Sequence, residues 1–506
     1  MIDTEDGFAR RFVGLAEREP ARLYARFEGA PITFGWLHAQ SDRVAARLRA
    51  AGVMAGDRVA VMLHNGAASL AVLHGLAKAG AIWVPVNVAM RGDGLRYILE
   101  HAEPALTIVE SALLEEVQRS GAAPRPGSIV RSDDLEAWLA DGEAFSDALP
   151  ETDDVFAIIY TSGTTGRPKG VLVSHRMLRL AGEAVALVSA ACDGDVMFMW
   201  EPLYHIGGAQ MLVLPLLRRV ALAMVERFSA GRFWSQVRAE GASHIHFLGG
   251  ILQILLKQPP AELDRNHGAR IAWGGGCPAG IWRPFQDRFG VEIRECYGMT
   301  EASSITTYND GGPVGSVGKP VRWFEVSLLD ADGRAVEQGA RGEVVVRTTQ
   351  PGAIARGYFR DPEATATALR DGGLHTGDVG SFDADGNLAF HGRLSDSVRC
   401  RGENVSAFEV EHVAASHPGV EECAMIGVAA DIGEQEIKLF VRPKAGVPLD
   451  PAELSVWLGE RLAPYQNPRY LALIAEFERT PSLRIMKHRL PRGVTGCFDR
   501  RRPRDE

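Results

Sequence analysis

Short apolar runs of strand length alternate with helical hydrophobic patterns through most of the chain, which predicts parallel or mixed sheets covered by helices. Residues 32–49 read as a short strand leading into an amphipathic helix, with Leu37, Val44 and Leu48 near one face. Residues 59–63 form a buried strand pattern, 69–79 a helix stopped at Gly80, and 81–86 the next strand. That order is a βαβ unit. The pattern then repeats. Residues 155–160 read as a buried strand, a Gly/Thr-rich loop follows, and 171–173 return as a strand, after which Ser174 is placed to cap a helix starting near His175.

After about residue 320 the pattern changes to short strands and tight turns. Asp330-Ala331-Asp332-Gly333 and Asp383-Ala384-Asp385-Gly386 resemble the start of a calcium loop, but neither carries the later ligands such a loop needs. Hairpin turns are the better reading. The last hundred residues hold strands at 422–428 and 437–441 and helical patterns at 408–416 and 451–462. The expected fold class is α/β. A large N-terminal domain of βαβ-layered sheets with a small barrel-like portion covers 1–394, and a small mobile C-terminal α+β lid covers 395–506, joined by a short hinge.

Composition narrows the function classes. A chain of 506 residues is too long for one core, and its 46% apolar, 24% charged make-up is that of a globular protein. A net charge of -9 argues against a nucleic-acid binder, and the basic run at 500–504 reads as a solvated terminus. The six cysteines form no C-x-x-C pair, so neither a zinc site nor a disulfide framework is suggested. The start, MIDTEDGFARRF, lacks the pattern of a signal peptide, and no stretch reaches 18 apolar residues. A cytoplasmic protein without a membrane span is expected.

Residues 161–170 read TSGTTGRPKG. Three glycines let the backbone approach a ligand closely, hydroxyls of Thr161, Ser162, Thr164 and Thr165 supply donors, and Lys169 adds a cation. This is the chemistry of a phosphate cradle. It is not a Walker A loop, because the G-x-x-x-x-G-K-[ST] spacing is absent and the loop joins two strands.

This loop resembles the signature of the adenylate-forming superfamily, which includes acyl-CoA synthetases, aryl-CoA ligases, luciferases and peptide-synthetase adenylation domains. Further segments match in order: Pro202-Leu203-Tyr204-His205, residues 274–278, Tyr297-Gly298-Met299-Thr300-Glu301, Thr376-Gly377-Asp378, Gly392-Arg393 and Gly402-Glu403-Asn404. The pattern at 480–490 is similar to the crotonobetaine/carnitine-CoA ligase-like branch.

The resemblance implies a two-step reaction. A carboxylate attacks the α-phosphate of MgATP to give an acyl-adenylate. A lid then rotates and the thiol of coenzyme A displaces AMP. It assigns Thr161, Ser162, Gly163, Thr164, Thr165, Gly166 and Lys169 to the β- and γ-phosphates. Glu301 goes to Mg²⁺, and the Thr300 hydroxyl to the α-phosphate. Gly276, Cys277 and Pro278 pack on adenine opposite Tyr297, beside Cys296 and Gly298, and Glu295 receives the adenine amine. Asp378 and Arg393 hold the ribose. His205 stands between acyl pocket and coenzyme A tunnel, with Trp200, Tyr204, Phe247, Gly249, Gly250 and Gly275 around the acyl group. The glycine pair hints at a roomy site for a bulky apolar acid, although a strand-end turn explains it nearly as well. Arg401 and Gly402 fall to coenzyme A. The segment Trp200-Glu201-Pro202-Leu203-Tyr204-His205 lacks the Asp with which amino-acid-activating relatives pair an ammonium, which favours an acid without an α-amine.

Two positions depart from the family pattern. The hinge residue, usually Asp or Lys, is Ser395, with little expected consequence. More consequentially, Ser482-Leu483-Arg484-Ile485 stands where the family has T-G-K-[IV]. In the family that lysine bridges the attacking carboxylate and the α-phosphate. Arg484 keeps the charge but presents a wide planar fork in place of a compact donor. Losing one such donor typically costs about 3–4 kcal/mol, a factor on the order of 10²–10³. Lys487 is a candidate surrogate, and Arg-for-Lys drift is the bland alternative. The expectation is a ligase that joins an acyl-adenylate to coenzyme A but forms the adenylate poorly, with a sister acyl-CoA ligase supplying it. A fully competent synthetase, a loader of carrier proteins, a non-catalytic sensor and a luciferase-like oxygenase are the competing readings.

Overall fold

The computed structural model describes residues 7–122, 129–133, 145–161, 168–394, 397–400, 403–430, 435–479 and 485–501. Two large sheets carry the first three hundred residues. One has six strands in the order Ile129–Arg131, Leu106–Val109, Arg58–Met62, Ile82–Pro85, Val155–Thr161, Lys169–Ser174, parallel except for the last pair. The other has nine, and its parallel centre runs Glu292–Tyr297, Ile271–Gly275, His244–Leu248, Val196–Met199, Ala221–Met224 and Leu23–Phe27. Strands such as Leu106–Val109 and Ala221–Met224 are buried throughout, as strands covered on both faces are, whereas Glu292–Tyr297 alternates.

The helices form where their sequences start and stop them. Thr33 accepts the Trp36 backbone N–H and opens helix Phe34–Ala50, which buries Leu37, Val44 and Leu48. Helix Ala67–Ala79 ends at Gly80 in a left-handed conformation. The two helices pack closely enough that a Cβ on Gly75 would stand 2.4 Å from Val44, so only glycine fits there. Ser174 accepts the Met177 N–H and caps helix His175–Val188.

Strands Phe324–Leu329, Gly342–Thr348, Leu369–Arg370, Gly373–Phe382 and Leu388–Arg393 form a smaller antiparallel sheet, the barrel-like portion. Both Asp-rich segments are turns within it. The Asp330 N–H bonds the Arg334 carbonyl, and the Asp383 N–H bonds that of Asn387.

From residue 397 onward the chain builds a separate core. A four-stranded sheet, Val420–Ala429, Gln435–Pro443, Tyr470–Leu473 and Phe498–Asp499, packs with helices Ala407–Ala415 and Pro451–Gly459 around Val410, Leu439, Leu454 and Leu458. This unit touches the rest through Lys257–Glu421 at 2.9 Å, an ion pair of Arg341 with Glu409, and the Phe390 and Phe408 rings at 5.9 Å. No helix among the described residues is long and apolar enough to cross a membrane.

Candidate active site

Thr161, Trp200, Gly249, Gly275 and Tyr297 lie at or just past the C-terminal ends of parallel strands, where open α/β sheets bind ligands, and Asp378 and Arg393 lie in the smaller antiparallel sheet. Thr161 and Lys169 are paired across the antiparallel end of the six-stranded sheet. The Lys169 ammonium lies 5.3 Å from the centre of the Tyr358 ring. The Tyr358 hydroxyl in turn donates to Glu301 Oε1 at 2.8 Å, and the Glu301 carbonyl accepts the Ala355 N–H. Thr300 and Glu301 are both buried. Burial raises the Glu301 carboxyl above its ordinary range, partly offset by hydrogen bonds, including the Tyr358 hydroxyl, and by the Arg393 charge.

A second set meets this one through the Tyr297–Glu301 segment. The Tyr297 hydroxyl donates to Asp378 Oδ2 at 2.6 Å, and Arg393 Nε stands 3.3 Å from Asp378 Oδ1. Asp378 and Arg393 are cross-strand partners in the smaller sheet, so the backbone register alone brings them together. Tyr297 is buried, its ring 5.6 Å from that of Phe390. Gly298 fits against the Ser304 carbonyl, which a Cβ would meet at 2.0 Å.

The Glu295 carboxylate accepts the backbone N–H groups of Gly276 at 2.6 Å and Cys277 at 3.1 Å, so it fastens the 276–278 loop. Burial pushes its carboxyl up to about 8. Cys277 is buried, and burial raises its thiol; Pro278 caps helix Ala279–Phe289. Cys296 lies on the strand that ends at Tyr297; burial raises its thiol too.

His205 begins the short helix Ile206–Ala209, with the Tyr204 ring 4.9 Å away. Gly249 and Gly250 end strand His244–Leu248, and a Cβ on either would meet nothing within 4 Å. Gly275 lies beside them, its carbonyl accepting the Gly249 N–H. Phe247 is fully buried in the apolar core of Phe198, Ile245 and Phe285, and its carbonyl abuts Gly274. Trp200 belongs to the same core and donates its indole N–H to the His246 carbonyl at 2.9 Å.

Three residues the motifs did not single out complete the arrangement. Asn65 donates to the Glu201 carbonyl at 2.8 Å and accepts the Leu203 N–H at 3.0 Å, pinning the loop that leads to His205. Tyr358 joins Lys169 to Glu301. His246 places Nδ1 2.6 Å from Glu201 Oε2. Ser162, Gly163, Thr164, Thr165, Gly166, Ser395, Arg401, Gly402 and Arg484 lie outside the described residues. Lys487 is described, and its ammonium stands 2.8 Å from Glu411.

Residues 13–359 match the model of the AMP-binding enzyme family, and 409–483 that of the AMP-binding enzyme C-terminal domain. The chain is 30% identical over 493 residues to the crotonobetaine/carnitine–CoA ligase of Salmonella paratyphi A (strain ATCC 9150 / SARB42), covering 93% of this chain and 95% of that one. Its fold is similar to ATP-bound MatB from Rhodopseudomonas palustris, with a TM-score of 0.86 at 27% identity, covering 95% and 97% of the two chains. It is equally similar to o-succinylbenzoate CoA synthetase from Bacillus subtilis in complex with its acyl-adenylate intermediate, at 0.86 and 25% identity over 96% and 98%. With both domain models matched across most of its length, the chain belongs to the AMP-binding enzyme family.

Proposed function

We propose that the protein is an acyl-CoA ligase that works through an acyl-adenylate, retains the thioester-forming half-reaction and carries out adenylation slowly. In the first half-reaction the acid's carboxylate oxygen bonds the α-phosphorus of ATP and pyrophosphate leaves. In the second the coenzyme A sulfur bonds the acyl carbon, its proton goes to solvent, and AMP leaves. The observation that carries this reading is the junction of Lys169, Tyr358 and Glu301 with Tyr297, Asp378 and Arg393. One set suits phosphates and the other a ribose, and only three residues separate their nearest members, Tyr297 and Glu301.

Glu301 fits Mg²⁺, which is held by few protein carboxylates together with substrate phosphates; among the described residues no group of three or more His, Cys, Asp or Glu competes with it. A bound Mg²⁺ would neutralise charge building on the phosphates. Tyr358 fixes the carboxylate's orientation and Lys169 adds a positive charge beside it. Coenzyme A would engage Arg401 and Gly402, with Ser395 as hinge and residues 395–506 as the moving lid.

The slow first half-reaction rests on Arg484, which replaces a compact ammonium by a planar guanidinium. The Lys487 ammonium stands 2.8 Å from Glu411, which speaks against its serving as the substitute. A sister ligase would then supply the acyl-adenylate within the cytoplasm. The test is a panel of synthetic acyl-adenylates with coenzyme A, read by mass spectrometry. Acyl-CoA and AMP in equal amounts support the proposal; no thioester from any member refutes it.

A further inference from the structure

Glu201 and His246 sit side by side at 2% and 4% exposure, yet neither belongs to the family's motif roles described above. Glu201 lies two residues beyond strand Val196–Met199, and His246 lies in strand His244–Leu248, which is paired with it. Their carboxylate–imidazole contact, Oε2 to Nδ1 at 2.6 Å, is thus at the strand ends on which Tyr204, His205 and the open Gly249-Gly250 pair are mounted. The rest of the surroundings is aromatic: the Trp273 ring is 4.2 Å and the Trp200 ring 6.4 Å from the imidazole.

The other carboxylate oxygen, Oε1, has no donor among the described residues. It packs against Gly207, two residues past His205, so closely that a Cβ there would stand 2.8 Å from it. A buried carboxylate oxygen without a donor is costly, whereas one that receives a donor from a ligand becomes a recognition point. Apolar substitutes at 201 and 246 would fill the same volume without that cost.

We propose that Glu201 Oε1 reads the acyl group, and that the preferred acid carries a hydroxyl or N–H donor away from its carboxylate. This rests on the ligase reading, and replaces a purely apolar acyl group with one that is aromatic-walled but polar at its far end. A site that hydrogen-bonds a substrate donor discriminates sharply against the analogue lacking it, because its own polar atom is then stranded.

Calorimetry on the full chain with acyl-sulfamoyl-adenosine analogues reads the pocket without turnover. Matched pairs differ only in a distal hydroxyl or amine. The donor-bearing member is expected to bind at least about tenfold tighter. In Glu201→Leu that ratio falls to within about twofold, the apolar member binding as well as before or better. Equal binding of the pair by the wild type overturns the proposal, and this holds whether or not the Leu variant folds. So does a preference for a trimethylammonium analogue, which has no N–H to give, or an equal loss for both members in the variant. Failure of acyl-adenylates to yield thioester would strike the ligase reading and leave the binding ratio to stand or fall separately.

Discussion

The Lys487 ammonium lies 2.8 Å from Glu411 Oε1, an oxygen that also accepts the Met425 backbone N–H at 2.5 Å. The lysine nearest to Arg484 in sequence is therefore tied to the C-terminal sheet, where it does structural work. Lys487→Ala should lower stability by under about 1 kcal/mol, as for a partly exposed ion pair. Pyrophosphate release should change less than about twofold, the loss expected of a residue outside the chemistry. A tenfold drop in release with unchanged folding would make Lys487 the surrogate cation after all.

Tyr358 is expected to matter through Glu301. Removing its hydroxyl leaves a buried carboxylate short of a donor, and hydrogen bonds to charged groups contribute about 1.5–3 kcal/mol. Tyr358→Phe should raise the Mg²⁺ concentration giving half-maximal pyrophosphate release by roughly tenfold or more. Thioester formation from a supplied acyl-adenylate, which needs no pyrophosphate, should stay within about threefold of wild type, since the lost bond acts on phosphate-bearing substrate alone. Equal losses in both assays would reduce Tyr358 to a packing residue.

Asn65 links the turn before helix Ala67–Ala79 to the loop carrying Tyr204 and His205. Asn65→Ala strands the Glu201 carbonyl and the Leu203 N–H, at a cost of about 1–3 kcal/mol. The KM for acyl-adenylate should rise more than the KM for coenzyme A. Asn65→Asp still accepts from Leu203 and should fall between alanine and wild type. A uniform fall in kcat with both KM values unmoved would show that the loop does not depend on this contact.

Glu295 links pH to stability. Burial is the largest cause of its raised carboxyl, which titrates near 8 in the folded chain against an ordinary 4.5. Between these values the folded state holds a proton that the unfolded chain releases, so this group's contribution falls as pH rises through that window. Glu295→Gln removes the slope: its melting temperature should gain on wild type from pH 5.5 to pH 8. A difference that stays constant with pH would mean the carboxylate is charged throughout, held by the Gly276 and Cys277 N–H groups.

What the sequence made legible was local or periodic. The stripe of Leu37, Val44 and Leu48, the stop at Gly80, the cap at Ser174 and the turns at Asp330 and Asp383 all depend on residues a few positions apart, and all are present. Asp378 and Arg393 were legible as separate motifs, and cross-strand register joins them. What pattern did not disclose was contact between distant segments. Asn65 reaches a loop 138 residues on, and Tyr358 reaches back 57 residues to Glu301. Nor did it disclose that the Glu295 carboxylate holds the Gly276 and Cys277 N–H groups, 19 and 18 residues back. Strand alternation turns Phe247 into the core, while Gly249 and Gly250 after it leave open space.

The central claim is that Arg484 slows adenylation and spares thioester formation. Pyrophosphate release from acid and MgATP should be measured beside thioester formation from the matching acyl-adenylate, in wild type and Arg484→Lys. Slow release is expected of the wild type, with a rise on the order of 10²-fold in the lysine variant and thioester rates that agree within about twofold because that step does not use residue 484. Brisk pyrophosphate release by the wild-type protein, unchanged in the variant, would contradict it.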